Sequence, residues 1–141
     1  MKKMMNRLNR KDGFTLAELL IVVAIIAVLV AVSIPIFTSR LEKARESTDL
    51  ANLRAAYAAG VADYLGNNYT TAPPDQYYNV QTGMLESNTS SALKGTGANG
   101  GTADTAIGEG FIYDADTDYA NQAIKVTITA DGEVTLAAVN P

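Results

Sequence analysis

Residues 14–37 read FTLAELLIVVAIIAVLVAVSIPIF, and the interpretation of the whole chain starts from this stretch. Of its 24 residues, 20 are apolar, and only Thr15, Glu18, Ser33 and Pro35 interrupt it. As an α-helix the stretch is about 36 Å long at 1.5 Å per residue, and the hydrocarbon core of a bilayer is about 30 Å thick. The sequence therefore predicts a helix that can span a membrane.

A secretory signal sequence is the competing interpretation of this stretch. The triplet Ala31-Val32-Ser33 could be cut after Ser33, which would release a chain that starts at Ile34. The apolar stretch is longer than the usual signal core of about 7 to 15 residues, and a signal sequence has no use for Glu18. We therefore favour a helix that stays in the protein.

Charges are distributed unevenly around the apolar stretch. Five of the first 13 residues are Lys or Arg and one is Asp, which is a net charge of +4. Residues 14–141 contain 6 Lys and Arg against 14 Asp and Glu, which is a net charge of −8. By the positive-inside rule the basic flank stays in the cytoplasm and the part after the helix is exported. Because the exported part is acidic, we expect no direct binding to nucleic acid.

The composition excludes most enzyme classes. The chain contains no His and no Cys, so it has no Ser-His-Asp or Cys-His nucleophile, no thiolate chemistry and no conventional zinc site. Catalysis by carboxylates alone would remain open, but no pair of carboxylates stands out. We therefore expect a protein that is not an enzyme.

The sequence KDGFTLAELLIVVAIIAVLVAVSIPIF, residues 11–37, closely resembles the N-terminal segment of type IV pilins and the related pseudopilins. The shared features are a short basic leader that ends in Gly13, then Phe14, a Glu five residues after the glycine, and an apolar helix with a proline near its end. The resemblance covers about residues 10–55. It implies that a membrane peptidase cuts between Gly13 and Phe14 on the cytoplasmic side and methylates the new amine of Phe14.

Glu18 is the unusual residue of the apolar stretch. An ionised carboxylate in an apolar helix costs free energy, and such a residue is retained when a cation pairs with it. The new amine of Phe14 is the obvious cation, four residues away in one helix. The resemblance favours pairing between neighbouring subunits, which would set their register in a filament. The alternative is a carboxylate that reaches the membrane interface without a partner.

Pro35 predicts a weak point in the helix. Proline has no backbone N–H, so the helical bond to the carbonyl of Ala31 is lost and the ring crowds that turn. The resemblance implies that this neighbourhood can unwind on assembly. A static kink is the alternative.

Helical spacing continues through residues 38–66 in two stripes. We expect this amphipathic helix to pack against a core, with a solvated charged face on which Arg45 pairs with Glu42 and with Asp49. The small stripe is Leu41, Ala44, Thr48, Ala51, Ala55, Ala58 and Ala62, and the bulkier stripe is Leu50, Leu53, Tyr57, Val61, Tyr64 and Leu65.

The remaining residues predict a small β-sheet. Six of the eleven glycines lie in the tract 94–110, which we expect to be an exposed loop. Residues 123–129 and 133–139 alternate apolar and polar side chains around an Asp-Gly turn, which predicts an antiparallel hairpin. Further strands are predicted at residues 77–81 and 111–114.

A run of alternating carboxylates, Asp114, Asp116 and Asp118, has a spacing that suits calcium. It lacks the EF-hand pattern, because Tyr119 stands where that loop has glycine and Lys125 occupies the twelfth position. The resemblance adds that some pseudopilins hold calcium in a C-terminal loop. We favour a solvated acidic turn and no cofactor, with calcium as the alternative.

Together these observations predict an α+β pilin fold, in which a long N-terminal helix packs by its second half on a small antiparallel sheet. The predicted parts are a cleaved leader (1–13), a transmembrane and assembly helix (14–37), an amphipathic helix (38–66) and a β-sheet head (67–141).

The resemblance implies a structural subunit, most simply the major pilin, of a type IV pilus that serves adhesion, twitching motility or DNA uptake. Its partners would be copies of itself, the prepilin peptidase and, indirectly, a platform protein and ATPases. It would cross the cell membrane once before assembly and lie in an extracellular filament afterwards. The alternatives are a pseudopilin of a type II secretion or competence system and a membrane-anchored binding domain that does not polymerise.

Overall fold

The computed structural model of the chain describes residues 13, 15–98 and 104–141. In these residues one helix, α1 (Leu16–Gly66), precedes six strands. The architecture is the predicted α+β one, a long N-terminal helix followed by small antiparallel sheets. The strands are β1 (Gln76–Asn79), β2 (Met84–Glu86), β3 (Thr105–Ile107), β4 (Phe111–Tyr113), β5 (Ala123–Ile128) and β6 (Val134–Val139).

The chain divides into two compact units between Ile36 and Phe37, and α1 contributes residues to both. In the first unit every described side chain of α1 is exposed. In the second unit one face of α1 is buried. The two parts of the helix therefore have different environments.

Four strands form one sheet in the order β2-β1-β5-β6, and all neighbouring pairs are antiparallel. β5 and β6 pair over six residues, beginning with Ala123 opposite Val139. This is the predicted hairpin, and its turn is closed by the Gly132 N–H, which donates to the carbonyl of Thr129 (3.1 Å). Gly132 has φ 94°, a conformation that glycine adopts without a Cβ clash. β3 and β4 form a separate antiparallel pair.

The core of the second unit lies between α1 and the sheet. Leu53 and Ala56 are fully buried on the helix, and β5 buries alternate residues against them. At Gly60 the helix comes so close to the sheet that a Cβ would lie 2.7 Å from Val134 and 2.9 Å from Val126. Only glycine permits this approach without displacing the valines.

Of the two stripes predicted on α1, the bulkier one supplies the core contacts. Leu50 and Leu53 are buried, Tyr57 and Val61 are half-buried, and Leu65 is exposed at the end of the helix. The small stripe is mainly exposed to solvent. Its exposed members are Leu41, Ala44, Thr48, Ala51, Ala58 and Ala62.

We expected the charged face of α1 to be solvated, and this is wrong for its acidic residues, whereas Arg40, Lys43 and Arg54 are exposed as expected. Glu42, Glu46 and Asp49 are each at most 1% exposed. The predicted pairing of Arg45 with Glu42 is present at 3.6 Å. Asp49 instead accepts hydrogen bonds from neutral donors, among them the hydroxyl of Tyr113 (2.9 Å).

Residues 94–98, which we call the strap, cover this acidic face. The Lys94 N–H donates to Asp49 Oδ1 (2.8 Å), and the Gly95 N–H donates to Asp49 Oδ2 (2.7 Å). The hydroxyl of Thr96 donates to Glu42 Oε2 (2.7 Å). A buried carboxylate is tolerated when donors replace the water that it loses, which explains why the acidic face is not solvated.

The expectation of an exposed loop over residues 94–110 is therefore wrong at two places. Gly95 is buried under the strap contacts, and Thr105–Ile107 form β3. A glycine-rich backbone presents N–H groups at close range, and here the carboxylates of α1 accept them. β2 and β3 have only three residues each, too few for a periodicity to be recognised.

Replacing Gly60 by alanine tests the close helix–sheet contact. Helix propensity favours alanine by up to about 1 kcal/mol. Overpacking against Val126 and Val134 is larger, so we expect the free energy of unfolding to fall by about 1–3 kcal/mol. The measurement is denaturant unfolding of the full chain in detergent, followed by tyrosine fluorescence, because all seven tyrosines lie in the second unit.

Gly66→Ala is the matched control, because a Cβ on Gly66 would meet nothing within 4 Å. Equal stability of the Gly60→Ala and Gly66→Ala variants would contradict the close contact.

Candidate processing and assembly site

α1 begins with a reciprocal pair of hydrogen bonds between Thr15 and Glu18. The backbone N–H of Thr15 donates to Glu18 Oε2 (2.8 Å), and the backbone N–H of Glu18 donates to Thr15 Oγ1 (3.3 Å). This arrangement is a capping box, which satisfies N–H groups that have no acceptor inside the helix. The first helical bond then runs from the Leu19 N–H to the Thr15 carbonyl (3.2 Å). These two side chains therefore define where α1 starts.

The carboxylate of Glu18 thus has a donor within its own chain, the N–H of Thr15. Its negative charge also lies at the helix N-terminus, where the helix dipole favours an anion. Gly13, on the leader side of the predicted cleavage position, is exposed and lies before the helix. Phe14 lies outside the described residues, so the pairing of Glu18 with a Phe14 amine stays a prediction.

The role of Thr15 in capping α1 was not predicted from the sequence, in which Thr15 was noted only as an interruption of the apolar stretch. The signal that could have identified it is the spacing Thr-x-x-Glu immediately before an apolar run. The same spacing gives Glu18 a local structural role in addition to its predicted role in assembly.

Among the residues that the structure describes, none covers the apolar part of α1. Leu16 is 76% exposed, Phe37 at the start of the second unit is 67% exposed, and even Val30 is 46% exposed. α1 is long and apolar enough to cross a membrane, and a helix that is apolar all round is typical of a membrane span. A shallow apolar groove along it is lined by Ala24, Ile25, Val28 and Leu29.

Pro35 lies inside α1, and the helix continues through it. Proline has no N–H to donate to the carbonyl of Ala31, so the ladder lacks one donor at this turn. Two residues earlier, the hydroxyl of Ser33 donates to the carbonyl of Leu29 (2.6 Å), a contact that often accompanies bending of a helix. Unwinding at Pro35 on assembly stays a prediction.

The three calcium candidates lie in the turn after β4, and all three are exposed. Asp114 accepts from the Asp116 N–H (2.8 Å) and from the Thr117 hydroxyl (3.0 Å), and Asp118 accepts from the Ala120 N–H (2.9 Å). These carboxylates cap the turn. Within residues 13, 15–98 and 104–141, no group of three or more metal-binding side chains could hold an ion. Calcium binding by this turn stays an untested alternative.

Replacing Thr15 by valine tests the capping box. The substitution keeps the size of the side chain and removes the oxygen that accepts the Glu18 N–H, so we expect a local loss of about 1 kcal/mol. Hydrogen exchange at the Glu18 amide, measured by NMR in detergent micelles, should become about five times faster. Thr15→Ser keeps the acceptor and is the control. Equal exchange in the valine and serine variants would refute the cap.

Comparison with known proteins finds similarity in the N-terminal segment. Residues 8–34 match the prokaryotic N-terminal methylation motif. Over 50 residues the chain is 48% identical to the type IV major pilin protein PilA of Myxococcus xanthus (strain DK1622). The match covers 36% of this chain and only 23% of the length of that relative, and no solved structure matches. The methylation motif and the similarity to a major pilin both lie in the N-terminal segment, and they support the predicted resemblance of this chain to type IV pilins.

Proposed function

We propose that this chain is a prepilin and that the processed protein is the major structural subunit of a type IV pilus, with no catalytic activity of its own. The observation that carries the proposal is the exposed apolar surface of α1 in the first unit, most of which lies within the methylation motif at residues 8–34. The pilin PilA of Myxococcus xanthus, which matches over 50 residues, is a major pilin by name. Neither the role nor the sheet domain requires a bound cofactor.

The exposed apolar side chains of α1 form one contiguous surface. A contiguous apolar surface of this size is stable in a bilayer or against other protein, and it is not stable in water. Before assembly the membrane covers residues 14–37, with the basic residues 1–13 on the cytoplasmic side. After extraction from the membrane, the same residues of neighbouring copies cover one another, as in a helix bundle made between chains.

Processing prepares the chain for this exchange. In the proposed sequence of events a prepilin peptidase cuts between Gly13 and Phe14 and methylates the new terminus. The amine of Phe14 is then the cation for Glu18 of a neighbouring subunit, which offsets the cost of a carboxylate in an apolar environment. Residues 38–66 and the head of residues 67–141 follow the apolar helix to the outside of the filament. A platform protein and ATPases supply the work, and the filament serves adhesion, twitching motility or DNA uptake.

The first experiment measures the mass of the N-terminal peptide of the protein taken from sheared surface filaments and from the cell membrane. The proposal expects a methylated Phe14 terminus in both fractions. A chain that keeps residues 1–13, or one that starts at Ile34, would contradict a prepilin and return the protein to an anchored or secreted binding domain.

Glu18→Ala tests the assembly step. We expect the variant to enter the membrane normally, because the apolar stretch is unchanged, and to yield no surface filaments by electron microscopy of sheared material. Glu109→Ala removes an exposed head carboxylate and should assemble normally. Thr15→Val breaks the same capping box but keeps the Glu18 carboxylate, so it should also assemble. Normal filaments from Glu18→Ala would refute the pairing, and failure of Thr15→Val would assign the defect to the cap.

A further inference from the structure

Two kinds of contact attach α1 to the second unit, and they occupy different parts of the helix. From Leu50 onwards the buried helix side chains are apolar or glycine and belong to the core under the sheet. Before Leu50 the buried side chains are the carboxylates Glu42, Glu46 and Asp49. Apolar packing therefore holds one part of the helix, whereas hydrogen bonds from the strap and from the Tyr113 hydroxyl hold the part from Glu42 to Asp49.

The strap has little apolar surface of its own. Its sequence is Lys-Gly-Thr-Gly-Ala, and both Lys94 and Ala98 are exposed. Leu93, the residue before the strap, is 2% exposed and anchors it in the core. Because burial of apolar area is the main favourable term in packing, the strap itself gains little from that source.

Hydrogen bonds hold the strap from two sides. On the helix side Asp49 accepts from two successive backbone N–H groups, and Glu42 accepts from both the backbone N–H and the hydroxyl of Thr96. On the other side the Tyr119 N–H donates to the Gly95 carbonyl (2.9 Å). The fit is tight, since a Cβ on Gly95 would lie 2.1 Å from the hydroxyl oxygen of Tyr113.

Burial and hydrogen bonding act in opposite directions on the pKa of Glu42 and of Asp49. At Asp49 the effect of burial is the largest and raises the pKa, against the lowering effect of the strap N–H groups and Tyr113. At Glu42 burial also raises the pKa, but the bonds from Thr96, the charge of Arg45 and the backbone N–H of Ala98 together outweigh it, so the pKa is lowered. Opening the strap returns these carboxylates to water, which solvates them well and reduces the net cost of opening.

We propose that the strap is a releasable clasp: it opens as a local unit, the bond from the Tyr113 hydroxyl to Asp49 breaks with it, and α1 is freed from Glu42 to Asp49 while the core under β5 and β6 stays folded. The carboxylates of Glu42 and Asp49 close it. Opening would allow the helix from Glu42 to Asp49, about two turns, to move relative to the rest of the second unit without unfolding that unit. This inference does not depend on filament formation, because it concerns contacts within one chain.

Hydrogen exchange measured by mass spectrometry on the full chain in detergent micelles tests the clasp. The N–H groups of Lys94, Gly95 and Thr96 are themselves the donors, so their exchange reports directly on opening. In the unmodified protein we expect strap amides to exchange at least ten times faster than amides of β5, with a weaker dependence on denaturant. Equal rates with equal denaturant dependence would overturn the proposal.

Two substitutions identify what closes the clasp. Glu42→Gln and Asp49→Asn should each speed exchange of the strap amides about tenfold or more and change β5 amides less than about twofold. Asp75→Asn is the matched control, since its carboxylate bonds Lys125 and Thr127 elsewhere on the second unit and should leave the strap unchanged. An equal increase in strap and β5 exchange, or no increase in the strap, would overturn the assignment. Gly95→Ala, which keeps both carboxylates, provides a second variant with the same expected pattern should Asp49→Asn fail to fold.

Discussion

The cost of placing apolar surface in water is the constraint on which this protein depends. An ordinary domain meets it by folding its apolar side chains against one another, and the second unit does so with Leu53, Ala56 and the inner face of β5. In the described residues of the first unit, the large apolar side chains are exposed on every side of a single helix and do not pack against one another in this way. A membrane and a filament can each cover this apolar surface, and in the proposed function the subunit moves from the membrane into the filament.

Hydrogen bonds stabilise α1 on both sides of its apolar segment. The helix begins at a capping box, which satisfies N–H groups at the edge of an apolar segment. Past the apolar segment, three carboxylates lie buried at the spacing of successive helical turns, where a purely apolar contact would have been the simpler way to attach the helix. Their burial is tolerated because the strap supplies oriented donors.

Patterns with a strong local cause could be predicted from the sequence, and contacts between distant segments could not. The apolar helix follows from 20 apolar residues in 24, and the β5–β6 hairpin from period-two alternation around an Asp-Gly turn. The burial of Asp49 depends on backbone donors 45 and 46 residues away, and no spacing on the helix shows that they exist. The high glycine content of residues 94–110 is likewise compatible with a free loop and with a backbone that other groups approach closely. At Gly95 the structure shows the close approach.

The order of the sheet has a consequence for copies that are crowded together. A strand at the edge of a sheet exposes unpaired N–H and C=O groups, which can recruit a strand from another molecule. Here the two edge strands differ in length, since β2 has three residues and β6 has six. The β2 edge therefore offers a neighbouring chain few backbone partners. If copies are crowded together, joining of their sheets into a continuous ribbon is disfavoured at the β2 edge, and the β6 edge is the one at which a strand from another copy could pair.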